Sequence, residues 1–316
     1  MFGYFHRELL CLVPVHRKRL VLHRRTENTP WINTALVLPD GRVLTGSHTT
    51  TCIWSKDLQR CTILQEFQTS QCVLASLTCD RVVTVRYANN GLDSSMILWD
   101  TNHCVKVVEL ACVCEYMYCM VGLWNERLVT SGSFGVLRCW DLRGPFMPGK
   151  RLQYDTYVNG SAAEIIALTD GRIMYCGGFN GTKIWDLAQG SVVVRLAQSQ
   201  PHVVQMLQLF DQRVILAGVD AVLRVWALAT NTCLIVLAGH ELPRGPDAIE
   251  SISGLAELPD GRVVSSGYDT TLRVWDATTG QCLFVLRRHQ CAVVQVLVSE
   301  GLVYSGDISG RVHIWE

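Results

Sequence analysis

The sequence predicts an all-β fold made of seven copies of one four-stranded unit. The first observation behind this prediction is the spacing of seven of the nine tryptophans, which follow one another at intervals of 40 to 49 residues. Self-similarity at such a period is the sequence signature of repeat architectures. Each of these tryptophans ends a short run rich in apolar and β-branched residues, which is typical of a strand. The repeats, numbered 1 to 7, contain Trp54, Trp99, Trp140, Trp185, Trp226, Trp275 and Trp315.

The second observation is a turn that leads into a β-branched run about ten to fifteen residues before each tryptophan. In three repeats this turn contains an Asp-Gly pair, at residues 40–41, 170–171 and 260–261. A polar pair of this kind between two apolar runs is a strong hairpin signal. After the tryptophan, a further turn and a further apolar run follow, as in residues 227–237 and 276–286. Each repeat is therefore interpreted as four short strands joined by three tight turns.

Composition and charge exclude several classes of protein. The chain has 316 residues, 49% of them hydrophobic and 18% charged, and 28 basic side chains balance 28 acidic ones. A neutral chain is not a strongly basic nucleic-acid-binding domain or an acidic tail protein, and this one is too apolar to be disordered. The longest nearly apolar stretch, residues 111–124, is interrupted by Glu115 and is too short to span a bilayer. We therefore expect no membrane insertion.

The N-terminus and the cysteines predict an intracellular protein. No small-residue cleavage site follows the short apolar run at residues 9–15, so a secretory signal peptide is not expected. The 14 cysteines are scattered without the spacing of a disulfide framework. We expect a cytoplasmic or nuclear location, or both, and reduced thiols. With no Cys-x-x-Cys pair and no glycine-rich phosphate loop, the sequence predicts no metal and no cofactor.

The repeat pattern resembles the WD-repeat family over residues 19–316. The features that carry the resemblance are the period, the four strands per unit and an aspartate directly after four of the tryptophans. A Gly-His pair, which usually precedes a repeat in this family, is intact only at residues 239–240. The resemblance implies a single seven-bladed β-propeller with four antiparallel strands in each blade. The aspartates are Asp100, Asp141, Asp186 and Asp276.

The two ends of the sequence predict how the ring closes. Repeat 7 stops at Glu316, directly after its third strand. The run at residues 19–24 precedes repeat 1 and is similar to residues 282–287, the fourth strand of repeat 6. We predict that this N-terminal strand completes the last blade, because an open ring would leave unpaired strand edges. Residues 1–18 are then an N-terminal extension, and residues 19–316 form the propeller.

The resemblance also implies a hydrogen-bonded set inside each well-formed repeat, made of a histidine, a serine, an aspartate and the tryptophan. Only repeat 6 matches it fully, with His240, Ser265, Asp269 and Trp275. In repeat 7, Ser309 stands where the aspartate is expected, so we expect the set to be incomplete there. The same three polar residue types occur in hydrolase triads. Their repeat positions favour a structural role, however, and no catalytic residue is predicted.

Basic residues recur two positions before the tryptophan. On an extended strand they lie on the same face as the indole. One interpretation is a ring of cations that binds anions. We favour solvated cations whose stems pack beside an aromatic ring. These residues are Arg138, Lys183, Arg224, Arg273 and His313.

The candidate partner-binding residues come from the turns between the second and third strands. In propellers of the WD-repeat family these turns lie on one face, around the central channel. The residue before the turn aspartate, or its nearest equivalent, is apolar or aromatic in six repeats. An exposed apolar patch there would mark a docking surface, although some of these side chains could instead pack into the neighbouring blade. The six residues are Leu92, Phe134, Phe179, Val219, Tyr268 and Ile308.

The function implied by the resemblance is that of a non-catalytic scaffold, which docks other proteins or peptides on this face. We expect a monomer with no nucleic-acid partner. The run at residues 279–283 resembles F-box/WD-repeat proteins, so a substrate receptor of a ubiquitin ligase is an alternative. A propeller enzyme is a further alternative, which would require converging carboxylates or a metal in the channel.

Overall fold

In the computed structural model, every described element of regular structure is a β-strand, which confirms the predicted all-β class. The described residues are 12–15, 19–22, 32–38, 40, 42–47, 50–55, 60–66, 74–76, 80–87, 94–112, 117–123, 126–132, 137–142, 150–152, 162–177, 181–196, 202–242, 252–299, 301–307 and 312–316.

The chain divides into two compact units. The first comprises Met1–Lys18 and His23–Ala162, and the second comprises Arg19–Leu22 and Ala163–Glu316. Repeats 1 to 3 lie in the first unit, and each forms a four-stranded antiparallel sheet in which the strands pair in chain order. The strands of the first 152 residues are β1 (Leu12–Val15), β2 (Arg19–Leu22), β3 (Ile32–Val37), β4 (Val43–Ser47), β5 (Thr50–Trp54), β6 (Cys61–Glu66), β7 (Leu74–Ser76), β8 (Arg81–Tyr87), β9 (Ser94–Asp100), β10 (Val105–Cys112), β11 (Met117–Leu123), β12 (Arg127–Gly132), β13 (Leu137–Asp141) and β14 (Lys150–Leu152).

Repeats 4 to 7 form the sheets of the second unit. Repeats 4, 5 and 6 are four-stranded and antiparallel, and the sheet of repeat 7 has three described strands. Their strands are β15 (Ala162–Ala167), β16 (Ile173–Gly177), β17 (Thr182–Asp186), β18 (Ser191–Arg195), β19 (Val203–Gln208), β20 (Val214–Gly218), β21 (Val222–Ala227), β22 (Thr232–Ala238), β23 (Ile252–Glu257), β24 (Val263–Gly267), β25 (Leu272–Trp275), β26 (Cys282–Leu286), β27 (Val293–Ser299), β28 (Leu302–Asp307) and β29 (Val312–Trp315).

The Asp-Gly pairs at residues 170–171 and 260–261 form the turns between first and second strands, as the sequence predicts. Gly171 and Gly261 have φ values of 85° and 84°, a left-handed conformation that favours glycine. In the first of these turns, Asp170 Oδ1 accepts a hydrogen bond from the backbone N–H of Arg172 at 2.9 Å. The carboxylate therefore fixes the turn that the glycine makes possible.

The core consists of apolar layers between consecutive repeats. The second strands β20 and β24 are buried at every residue, as expected for strands covered on both faces. Each described repeat tryptophan that joins a cluster packs against the preceding repeat. Trp226 packs with Leu168 and Met174 of repeat 4, and Trp275 packs with Ile215 and Val225 of repeat 5. These indoles therefore contribute to the apolar contacts between one sheet and the preceding one.

The predicted closing strand, β2, belongs to the second unit and lies beside β29, with Cα atoms of the two strands within 8 Å. The strand pairs described for repeat 7 are β27 with β28 and β28 with β29. Ring closure, the number of blades and the division at residue 19 therefore stay predictions.

Candidate functional site

The set predicted in repeat 6 is joined by hydrogen bonds. Trp275 Nε1 donates to Ser265 Oγ at 2.8 Å, Ser265 Oγ lies 2.7 Å from His240 Nε2, and His240 Nδ1 lies 2.9 Å from Asp269 Oδ2. Nδ1–H of the imidazole donates to the carboxylate, because a carboxylate oxygen can only accept. The hydrogen-bonded chain therefore runs from the indole through serine and histidine to the aspartate.

Two strands, the turn between them and the segment after β22 place these side chains. Ser265 lies on β24 and Trp275 on the adjacent β25, and Asp269 lies in the turn that joins the two strands. His240 follows β22, the last strand of the preceding repeat. The set therefore ties the end of repeat 5 to the central strands of repeat 6.

The electrostatics of Asp269 follow from these contacts. Burial alone would raise the pKa of this carboxyl, but the hydrogen bond and charge of His240 outweigh that effect, together with bonds from Glu241 and Thr271. The pKa of Asp269 therefore lies well below its ordinary value. The donors from the last two residues are the backbone N–H of Glu241 at 3.0 Å and the hydroxyl of Thr271 at 2.8 Å.

The same geometry decides what this set can do chemically. Ser265 is fully buried, and its oxygen already accepts a hydrogen bond from an indole. A nucleophilic serine must instead reach a substrate carbonyl. The arrangement in repeat 6 therefore stabilises the sheet and does not present a nucleophile.

Repeat 7 contains a second complete set, and the expectation that it would be incomplete is wrong. His289 Nδ1 lies 2.7 Å from Asp307 Oδ2, and His289 Nε2 lies 2.7 Å from Ser305 Oγ. Trp315 Nε1 donates to the same serine oxygen at 2.8 Å. The aspartate comes from the end of β28, two residues after the serine, rather than from the turn position of Ser309. Two signals could have found it: the histidine at 289 and the Ser-Gly-Asp run at 305–307.

Repeats 2 and 3 keep only part of this arrangement. Trp99 Nε1 donates to Thr84 Oγ1 at 3.0 Å, and Trp140 Nε1 donates to Thr130 Oγ1 at 3.0 Å. A threonine hydroxyl therefore takes the place of the serine. In both repeats the indole N–H is satisfied inside the sheet.

Repeat 5 lacks the serine of the set and holds its turn aspartate with a different partner. Leu216 occupies the strand position of the serine, and Trp226 Nε1 has no hydrogen-bond partner in the part of the chain that the structure describes. The turn residue Asp220, equivalent to Asp269, pairs instead with Arg224, with 2.6 Å between Oδ2 and Nη2. An ion pair therefore replaces the histidine.

The expectation of solvated cations before the tryptophans is wrong for two of the five. Lys183 and Arg273 are both buried. The Nη1 atom of Arg273 lies 2.8 Å from the place a Cβ on Gly239 would take, so the guanidinium packs against the Gly-His segment. The absence of a side chain at residue 239 makes room for the cation, which explains why it is covered.

Arginines of the first turns join consecutive repeats. Arg42 of repeat 1 donates from Nη1 to the carbonyl of Thr101 in repeat 2 at 2.6 Å. Arg213 of repeat 5 donates from Nη1 to the carbonyl of Ala277 in repeat 6, also at 2.6 Å. Both acceptors lie two residues after a repeat tryptophan. The sequence analysis did not identify these contacts, although the recurring Asp-x-Arg turns carry the signal.

The predicted partner-binding residues are only partly placed by the structure. Val219 and Tyr268 lie in the turns after β20 and β24, and both are half-buried. Val219 packs against the apolar cluster that repeats 5 and 6 share, as the alternative interpretation of these residues expects. The other four residues lie outside the described part of the chain: Leu92, Phe134, Phe179 and Ile308.

Exposed large apolar side chains are concentrated on the fourth strands, a feature that the sequence analysis missed. On these strands the exposed side chains are Ile63, Val105, Val107, Val193, Leu234, Val236, Leu283, Phe284 and Val285.

The described ranges contain neither a candidate metal site nor a membrane-spanning helix. There, no group of three or more histidine, cysteine or acidic side chains could hold a metal ion. In the same ranges no helix is long and apolar enough to cross a membrane. The cysteines assigned in these ranges are free, and burial raises the pKa of the Cys139 thiol.

Comparisons with known proteins agree with this geometry. Residues 231–276 match the family model "WD domain, G-beta repeat", which spans the set of repeat 6. The computationally designed Ika8 protein is structurally similar, with a TM-score of 0.70, 20% identity, and coverage of 90% of this chain and 83% of that one. The WD40 β-propeller domain of Doa1 is similar with a TM-score of 0.66, 16% identity, and coverage of 89% and 91%. No curated protein matches the sequence. Residues 231–276 are therefore similar to a WD repeat, and the chain has the fold of a WD40 β-propeller.

Proposed function

We propose that the chain is a non-catalytic scaffold that docks protein or peptide partners on the face formed by the turns between second and third strands. WD40 propellers generally mediate protein–protein interaction, and the candidate triad of repeat 6 is used inside the sheet. The proposed docking face includes Val219 and Tyr268, with the equivalent turn residues of the other repeats.

The observation that carries this proposal is the set of hydrogen bonds that holds these two turns. The N–H of Thr270 donates to the carbonyl of Gly267, and the N–H of Ala221 donates to that of Gly218, both at 3.2 Å. Asp269 and Asp220 are each held by side-chain partners. A turn fixed in this way presents its apolar residue without a further loss of conformational entropy on binding.

Tyr268 is the side chain best suited as an anchor. It is half-buried, and it directly precedes the aspartate that His240 holds. Tyrosine combines a large apolar surface with a polar end and is enriched among residues that dominate binding energy. Val219 is less suited, since it already packs against the shared cluster.

Affinity capture followed by mass spectrometry tests the proposal, with the intact protein and two variants as bait. Tyr268→Ala is expected to weaken capture of partners by roughly five- to thirtyfold, the loss typical of an anchor residue. Phe210→Ala is the matched control, because Phe210 is an exposed aromatic in a turn between first and second strands.

Two outcomes of this experiment contradict the proposal or refine it. Loss of partners from Phe210→Ala but not from Tyr268→Ala would place binding at the other end of the strands. Recovery of ubiquitin-ligase subunits with the intact protein, lost from Tyr268→Ala, would identify the scaffold as a substrate receptor.

A further inference from the structure

The outer strand of repeat 6 is an exposed apolar sheet edge. The strand β26 is last in the order β23-β24-β25-β26, and no described strand pairs with its outer side. Three consecutive large apolar side chains on it are exposed: Leu283 by 39%, Phe284 by 54% and Val285 by 37%. An edge of this kind presents backbone N–H and C=O groups that can pair with another chain.

The corresponding edge of repeat 5 is partly covered. Ile235 on β22 occupies the strand position of Phe284 on β26, two residues after Cys233 and Cys282, respectively. A Cβ on Gly280, in the turn of repeat 6, would lie 2.9 Å from Ile235 Cγ2, and Ile235 is half-buried. That turn therefore shields the middle of β22, whereas Phe284 is exposed.

Charge distinguishes the two edges further. Two arginines, Arg287 and Arg288, directly follow β26; both are exposed, and neither forms an ion pair with a described residue. The strand β22 is followed instead by Gly239 and the buried His240, and then by Glu241. A partner segment seated along β26 would therefore meet two free positive charges at one end.

We propose that β26 with Arg287 and Arg288 binds an extended segment of another protein by strand addition, and that this segment carries acidic residues followed by alternating apolar residues. The new strand is antiparallel, as every described ladder is, so its acidic N-terminal end lies beside the arginines. Because side chains alternate across a strand, the apolar side chains of the segment share one face of the enlarged sheet, where they pack beside Phe284. The backbone ladder supplies binding that does not depend on sequence.

The edge of β26 is a different surface from the turn face of the proposed function. Binding at the edge is tested independently, because the turn variants and the edge variants change separate residues.

A defined peptide tests the inference directly. The probe is the peptide Asp-Glu-Val-Thr-Ile-Thr-Val, with fluorescein at its C-terminus, titrated with the intact protein and followed by fluorescence anisotropy. The wild-type protein is expected to bind it, and raising the salt concentration is expected to weaken binding. A peptide with Lys-Lys in place of the acidic pair should bind about tenfold more weakly or worse. A peptide with proline in place of isoleucine should not bind, because it lacks a ladder N–H.

Protein variants locate the site. Phe284→Lys should reduce affinity by about tenfold or more, because a charge on the edge opposes strand addition. The double variant Arg287→Glu with Arg288→Glu should reduce it similarly and lies outside the strand, so it tests the site even if Phe284→Lys does not fold. Val236→Lys, on the exposed side of β22, is the matched control and should bind as the wild-type protein does.

Several results would overturn the inference. These are no binding of the acidic peptide, equal binding of the proline peptide, or a loss caused by Val236→Lys but not by Phe284→Lys. A wild-type dimer in sedimentation equilibrium that Phe284→Lys converts to a monomer would show that a second copy of this chain occupies the edge instead.

Discussion

His289 and Asp307 are joined by a hydrogen bond of 2.7 Å between two side chains that are fully buried. The aspartate reaches the histidine from the end of a strand, whereas in the preceding repeat Asp269 reaches His240 from a turn. An aspartate at either of two backbone positions can therefore place its carboxylate beside Nδ1 of the histidine in its set. The role of the set depends on where the carboxylate arrives and not on its place in the repeat.

Removing either carboxylate should destabilise the second unit. Asp307→Ala and Asp269→Ala each leave a buried histidine N–H without its acceptor, which costs about 1–3 kcal/mol. Asp260→Ala is the matched control in repeat 6, because Asp260 pairs with Arg262 at 51% exposure and an exposed pair contributes about 1 kcal/mol or less. Urea denaturation measures all three. Equal losses from Asp260→Ala and Asp307→Ala would contradict the structural role of the buried set.

Acid should weaken repeat 6 through Asp269. The pKa of this carboxyl is lower in the folded protein than its ordinary value of 3.8, because the contacts with His240 outweigh burial. A lowered folded-state pKa stabilises the protein above the unfolded-state value, and this contribution is lost as the pH falls below about 4. The wild-type protein should therefore lose stability faster than Asp269→Asn between pH 5 and pH 3, in urea denaturation at a series of pH values. Parallel pH profiles would disprove this linkage.

The indoles of repeats 5 and 6 should respond differently to the same substitution. Trp226→Phe and Trp275→Phe each remove one ring of a buried indole. Among the described residues, Trp226 Nε1 has no partner to lose, whereas Trp275→Phe removes a hydrogen bond and leaves the Ser265 hydroxyl without its donor. Trp275→Phe should therefore cost about 1–3 kcal/mol more than Trp226→Phe in thermal or chemical denaturation. A larger loss from Trp226→Phe would show that ring volume outweighs the hydrogen bond.

The contact between Arg213 and Ala277 should stabilise the junction of repeats 5 and 6. Arg213→Ala removes a charged donor to a carbonyl of the next repeat, and such bonds contribute about 1.5–3 kcal/mol. Arg262→Ala is the control, because this arginine has the same Asp-x-Arg turn but is 41% exposed, against 20% for Arg213. Its loss should stay within about 1 kcal/mol. If both variants unfold at the same urea concentration, the inter-repeat bond adds no stability.

The regular part of the fold could be predicted from the sequence because its signals are local. The Asp-Gly turns and the apolar runs that end at a tryptophan each act within a few residues of their own position, and together they predict the sheets. The residues of the repeat 6 set are instead what the resemblance to the WD-repeat family implies.

The remainder depends on neighbours that a repeat pattern does not show. The role of Asp307 was missed because the aspartate of the set can come from two positions. In repeat 7 it lies two residues after the serine, whereas in repeat 6 it lies four residues after it, and each aspartate contacts the histidine of its own set. Ile235 and Phe284 occupy equivalent strand positions, yet only the first is covered by the following turn. Burial of Lys183 and Arg273 likewise depends on how closely the adjacent segment approaches.

Photo-crosslinking at residue 268 tests the central claim, that the turn face of this propeller docks other proteins, most directly. Tyr268 is replaced with benzoylphenylalanine, and in a parallel sample Phe210 is replaced in the same way. After illumination in cell extract, covalent protein adducts are identified by mass spectrometry. The account predicts adducts with specific proteins at position 268 and not at position 210. Adducts at position 210 with none at position 268 would contradict it.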